Sequence, residues 1–600
     1  MATDASDSGG EMIPVADRAE LDEEGRLVVQ EGGQAIAVFY HEETVYAVDN
    51  RCPHMGFPLT RGTVEDGVLT CHWHHARFEL ERGDTFDPWA DDVQTFPAEL
   101  RDGQVYLDPD PPRNVDPATH WRNRLADGLN ENLTLVMAKA IIGLDSVEPR
   151  STESRTESDD AGEGFSTPLE TALEFGTKYR AAGWGRGLTT LGCMANVYDD
   201  LGGRDKRRAM FLGVREVADE CAGEPPRFQQ YAFDNQNLSK ERLLTWFRDS
   251  VEVRDADGAE RCLLTAVECL DPEDVADILF TAATDSLYLD SGHRLDFINT
   301  AFSTLQHVGW EHAPEALAST VQGLTEATRS EELSSWRNPI DVADLCFDAA
   351  DRLDDLVAAG AGREWTEPDD FVETLLSDDP ETIIDALTGA IREGATRTEL
   401  ADAVVRAATR RVAWFATNNE FNDWNTVHHT LSYANAVYEA TTYTTTDALY
   451  RGCFDAAISV YLDRFLNSPR APTPNPDPGG SDRDPAAIRE ELLDCFDRQG
   501  EVNRAARLVS EHFDAGGDVA DLKRTLGRGL LREDAGFHTL QEVELGFRRV
   551  DRLDDERERR LALLAPARYM AAHFPTRRAN EETFSIATRL HRGERLHEAE

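Results

Sequence analysis

Four soft-metal donors constrain this chain more than any other feature. Cys52 and His54, written Cys52-Pro53-His54, are followed after sixteen residues by Cys71-His72-Trp73-His74. Each half therefore delivers one sulfur and one nitrogen, as C-x-H and C-x-x-H. Two such halves on two loop tips supply what a [2Fe-2S] cluster with asymmetric ligation needs, both thiolates on one iron and both imidazoles on the other. A tetrahedral Cys2His2 set also suits zinc, although zinc motifs usually separate C-x-x-C from a histidine half, whereas here the halves are mixed. Gly56, Pro58, Gly62 and Gly67 supply turns around the two tips.

Short alternating apolar runs surround the motif (RLVVQ, QAIAVFY, TVYAVDN, VLTCHW, ARFEL, VQTFPAEL, QVYLD), broken by Gly, Asp and Asn. This pattern predicts a small antiparallel β domain. The text CPHMGFPLTRG, then CHWHHARFEL, then FPAELRDGQVYLD with Pro97, resembles the Rieske ferredoxin family over residues 11–108. That resemblance implies one [2Fe-2S] cluster held by Cys52, His54, Cys71 and His74, loaded by a reductase or another ferredoxin. High-potential members of the family carry a disulfide between the ligand loops, where this chain has Phe57 and Trp73. They also aim a serine and a tyrosine hydroxyl at the cluster sulfurs, where this chain has Ala76 and Phe78. Fewer donors to sulfur imply a potential towards the low end of the Rieske range, about −150 mV, as in the soluble ferredoxin and oxygenase branch. His72 and His75 fall out of register with the ligands and are expected at the surface or behind them.

Acidic residues number 113 against 61 basic, for a net charge of −52, and only five of the basic residues are lysines. Such a surface suits a salt-saturated cytoplasm, where a short Debye length screens the repulsion, and the composition resembles that of haloarchaeal proteins. No basic patch is offered to nucleic acid. Seven cysteines outside the motif (Cys193, Cys221, Cys262, Cys269, Cys346, Cys453, Cys495) lie mostly in apolar helical runs, as small core residues of a reducing cytoplasm. The first residues lack a basic and apolar leader pattern, and no window reaches eighteen apolar residues, so no membrane span is expected.

The expected organisation is multidomain. A leader (1–10) precedes the all-β Rieske domain (11–110), a connecting segment with a helix (111–144) and an acidic linker (145–164). A large all-α region of hairpins (165–466) follows, then a proline-rich linker or loop (467–485) and a C-terminal helical segment (486–600). Helix punctuation is frequent beyond Phe165, with Asp or Pro opening and Gly closing amphipathic runs.

Within the helical region two segments share His-x3-aromatic-x-Asn-x2-aromatic: His293, Phe297, Asn299, Phe302, and His429, Tyr433, Asn435, Tyr438. A weaker third echo, Thr190-LGC-Met194-A-Asn196-V-Tyr198, has lost the histidine. Repetition of this kind predicts packed helical hairpins that turn His293 and His429 into one interior. There they serve either as core groups satisfied by neighbours or as a catalytic or second-metal site, with His307, His312, His428, Glu311, Glu420 and Asp423 as further candidates. The spacing His307-x4-His312 is similar to the iron-binding helix of Rieske ring-hydroxylating oxygenases, except that Thr304 stands where that family has aspartate. Residues 165–465 are similar to the questin oxidase-like family, which implies an oxidative ring-cleaving or Baeyer-Villiger-type reaction on a small-molecule substrate. Two functions are consistent with these features: electron transfer serving an oxidoreductase reaction in the helical region, or electron transfer and redox sensing with that region as a docking scaffold.

Overall fold

A computed structural model describes residues 12–111, 116–147, 163–235, 237–474, 479–594 and 596. The expected leader, and most of the expected acidic linker, lie outside the described residues. The chain divides into two compact units: Met1–Pro168 with Glu582–Glu600, and Leu169–Glu581.

The first unit holds three antiparallel sheets. Arg26–Glu31, Gln34–His41, Thr44–Asp49 and Thr95–Phe96 form the central one, in that order. Along Gln34–His41 successive side chains point to opposite faces, and here both faces are buried. Ile36 and Val38 join Leu21, Phe96, Val105 and Leu107 in one core, while Ala37 and Phe39 join Leu59, Leu69, Phe78 and Leu80 in the other. Cys52 and Cys71 belong to the second core. Ile13–Asp17, Gln104–Leu107 and Ala98–Arg101 form a second sheet, and Thr63–Glu65, Val68–Thr70 and Arg77–Glu79 a third, which carries the second ligand loop between its last two strands.

The segment expected as a connector is a helical hairpin belonging to this unit, Pro117–Asn130 and Thr134–Val147. Asp116 caps its start, accepting from the Thr119 N–H, with Pro117 in the first turn. The hairpin closes tightly because Gly143 lies against the Trp121 ring, where a Cβ would stand 2.2 Å from the indole.

The second unit is helical throughout its described residues. The three echoing segments pack on one another: His293–Val308 contacts both Arg186–Asn196 and Asp423–Ala440, and Asp423–Ala440 also contacts Phe537–Arg552. Where composition places a break at 467–485, the described part of that stretch is tied to the helices. The Ala471 N–H donates to Trp414 O, Arg470 lies over the Trp414 ring, and the Ser481 N–H donates to Asp514 O. Residues 486–581 accordingly share a unit with 169–466. No helix among the described residues is long and apolar enough to cross a membrane.

Candidate metal centres

The two ligand loops are built alike. In the first, the Cys52 N–H donates to Phe57 O and the Gly56 N–H returns to Cys52 O; in the second, the Cys71 N–H donates to Ala76 O and the His75 N–H to Cys71 O. Each turn needs a left-handed residue at its fourth step past the cysteine, and the occupants are Gly56 (φ 82°) and His75 (φ 65°). A non-glycine residue there carries backbone strain of about 1 kcal/mol or more. His75→Gly is therefore expected to stabilise the unit by roughly 0.5–1 kcal/mol in a denaturation midpoint, and Gly56→Ala to destabilise it by at least as much.

These loops bring all four predicted donors together. Cys52 and Cys71 are 2% and 1% exposed, and their sulfurs share a hydrogen bond that pushes the Cys52 thiol up and the Cys71 thiol down to about 6. Burial opposes the lowering at Cys71, and the Trp73 and His74 backbone N–H groups add to it. Backbone donors aimed at sulfur favour the thiolate that iron requires. The His54 and His74 rings lie 4.8 Å apart, edge to face. Burial, then the neighbouring His74 and Lys139, lower His54 to about 4, while burial and His75 lower His74, so both rings are neutral donors at physiological pH. His54 Nδ1 is buried without a protein partner, as an atom reserved for a metal would be. Paired thiols on one side and paired neutral imidazoles on the other fit a [2Fe-2S] cluster with asymmetric ligation. Ala76 and Phe78 are fully buried beside the sulfurs' core and offer no hydroxyl. His72 is exposed and reaches Thr63 Oγ1 at 3.3 Å.

A second convergence lies in the helical unit. The rings of His293 and His429 are 4.5 Å apart, and His538, a residue the sequence reading did not single out, joins them. One ligand atom from each of the three lies within 4.8 Å of the others. His429 Nε2 and His538 Nε2 are 3.0 Å apart, close to the separation of two adjacent donors on one ion at bonds of about 2.0–2.1 Å. Burial first, then the facing imidazoles, push His429 and His538 far below the usual histidine range, which keeps their lone pairs free for a cation. His293 Nδ1 is buried without a hydrogen bond, 3.6 Å from Asp296.

Behind the triad runs a buried chain. Gln541 Nε2 donates to Asp296 at 2.6 Å, its oxygen faces His428 Nε2 at 2.9 Å, and His428 Nδ1 meets Glu542 at 2.7 Å. Such partners fix the orientation of ligating groups. His293 itself opens its helix after a strained approach, in which Tyr288, Asp290, Ser291 and Gly292 all have φ between 45° and 93°. Strain held at one place by surrounding structure is characteristic of functional sites.

The other helical candidates lie elsewhere. His307 Nε2 meets Asn196 at 2.9 Å and His312 Nδ1 meets Glu315 at 3.0 Å. Their H-x4-H spacing does not sit on one helix, because the first helix ends at Val308 and Gly309 (φ 102°) starts a new turn. Glu311 and Glu420 are exposed, and Asp423 accepts from the Glu420 N–H at its helix start. Tyr433, the aromatic four residues after His429, donates its hydroxyl to buried Asp455 at 3.0 Å, whereas Phe297 and Phe537 pack on His293.

Residues 11–97 match the family of the Rieske [2Fe-2S] domain. Among curated proteins the chain is similar to the ferredoxin component of a naphthalene 1,2-dioxygenase/salicylate 5-hydroxylase system of Ralstonia (33% identity, 15% of this chain, 91% of that one). It is also similar to the ferredoxin subunit of a 3-phenylpropionate/cinnamic acid dioxygenase of Photorhabdus laumondii (34%, 12% and 70%). A third relative is the ferredoxin component of an alkene monooxygenase system of Xanthobacter autotrophicus, of which the chain spans 66% at 33% identity, over 13% of its own length. Paired loops, a fitting donor set and these relatives agree, and through its N-terminal residues the chain belongs to the Rieske [2Fe-2S] domain family.

Proposed function

We propose that the Rieske unit is a one-electron carrier, with Cys52, Cys71, His54 and His74 as its ligands, and that it serves an oxidoreductase reaction in the helical unit at a second metal held by His293, His429 and His538. The observation that carries the second half is the convergence of three imidazoles, with the buried His293 Nδ1 among them making no hydrogen bond. Three histidine donors leave coordination positions open, as catalytic sites do. An electron-donating reductase or ferredoxin loads the cluster, whose exposed His74 edge offers the route in. Fusion of carrier and acceptor keeps them at a high effective concentration.

When bound, the cluster supplies reversible one-electron reduction. The chain's residues do the rest: buried Cys52 and Cys71 hold the sulfur side in a dry core, Phe297 and Phe537 shield the triad, and Asp296 with Gln541 orients it. All nine cysteines are free among the described residues, which suits a reducing cytoplasm, and a small-molecule substrate is the partner this reading implies.

Metal analysis of the purified full chain tests the reading. Two irons from the cluster plus about one further transition-metal ion per chain are expected. Two irons alone, unchanged after incubation with Fe(II) or Zn(II), would favour the docking-scaffold reading of the helical unit.

A further inference from the structure

The helical hairpin at Pro117–Val147 lies beyond the residues that match the Rieske domain, yet it reaches back to the first ligand loop. Lys139 is 8% exposed, and its Nζ donates to the carbonyl of Pro53, the residue between Cys52 and His54, at 2.9 Å. The same nitrogen pairs with Asp91. Asp91 is 7% exposed and also takes Arg124 Nε at 2.8 Å, while Arg124 donates to the carbonyls of Pro88 and Ala90. Trp89, within that same stretch, packs edge-on against the His54 ring at 4.7 Å. Arg124 is also paired with Asp127 at 2.7 Å, so Asp91 is shared by two buried cations, of which Lys139 is the one that touches the ligand loop.

We propose that Lys139 is a tuning residue that raises the reduction potential of the cluster. Uptake of one electron, converting one ferric iron to ferrous, adds one negative charge beside the loop, and a fixed cation in a poorly screened interior stabilises that charge. The ammonium takes over the part left vacant where Ala76 and Phe78 offer no hydroxyl to the sulfurs. Residue choice points the same way. Two of the five lysines are buried, Lys139 and Lys523, and at Lys139 a single compact nitrogen bridges one carbonyl and one carboxylate oxygen.

The inference rests on cluster binding by the Rieske unit, and the test separates the two. Full-length holoprotein of wild type, Lys139→Met and Asp91→Asn is titrated with dithionite while electron paramagnetic resonance follows the reduced cluster. Lys139→Met is expected to lower the midpoint and Asp91→Asn, which removes the opposing charge, to raise it, with iron content and g-values kept. An unmoved midpoint in Lys139→Met, or shifts of the same sign in both variants, would overturn the proposal, the latter marking mere distortion of the loop. If Lys139→Met fails to retain its cluster, the sign of the Asp91→Asn shift decides alone. A wild-type protein without a Rieske spectrum overturns cluster binding itself, and this inference with it.

Discussion

Cys71→Ser is expected to abolish the cluster: the visible absorption and the low-average-g resonance of the reduced protein disappear, and iron falls by two per chain. Serine keeps the shape of the side chain but replaces a soft thiolate with a hard hydroxyl, and the donor lost is the one whose sulfur is best prepared for iron by the Cys52 hydrogen bond and the Trp73 and His74 backbone N–H groups. Far-ultraviolet circular dichroism should change little, because the helices of Leu169–Glu581 form a compact unit with a core of their own. Cys495→Ser, at a cysteine buried in the Pro485–Cys495 helix of that other unit, should leave the resonance intact. A Rieske signal surviving in Cys71→Ser would mean that Cys71 is not a ligand.

The cluster loops were legible because their information is local. Donor type, a spacing of two or three residues, and turn-forming neighbours are all written within Arg51–Phe78, and the hydrogen bonds that shape each loop span only four or five residues. Alternation in QAIAVFYH likewise announces a strand, although not that both its faces would be covered. Contacts across long sequence separations were not legible. Lys139 meets Pro53 across 86 residues, so a hairpin that clamps the ligand loop reads from sequence as a mere connector. Prolines at 467–485 read as a linker or loop because proline breaks helices, and breaking a helix does not prevent a loop from docking by its backbone.

The helical histidines show the same division. Repetition of His-x3-aromatic-x-Asn drew attention to His293 and His429, and their helices do pack together. His538 escaped because its fourth following residue is Glu542 rather than an aromatic, and because it approaches from 109 residues beyond His429. One signal was available: His429-Thr430-Leu431 recurs as His538-Thr539-Leu540. For His307 and His312 the spacing alone misled, since Gly309, at a positive φ of 102°, ends the helix between them.

His538→Ala should separate a metal centre from a cluster of core histidines. If the triad binds a metal, removing one of three donors leaves two, and the second-metal content of the purified chain should fall to near zero along with any turnover that depends on it. Occupancy also has a thermodynamic signature: a ligand at about 100 times its dissociation constant stabilises the folded state by roughly 2.7 kcal/mol. Added Fe(II) or Zn(II) should therefore raise the melting temperature of the wild type and leave His538→Ala unmoved. In metal-free protein the substitution should cost little, because His538 is only part-buried and the side-chain hydrogen bond it loses is the one it shares with His429. His428→Ala provides the contrast. It strips a hydrogen-bond partner from buried Glu542 and Gln541, which is expected to cost about 1–3 kcal/mol whether or not metal is present, while the three ligand nitrogens remain. A core reading predicts the opposite ordering, with equal metal content in wild type and His538→Ala and no melting shift on metal addition in either; that outcome would remove the second site.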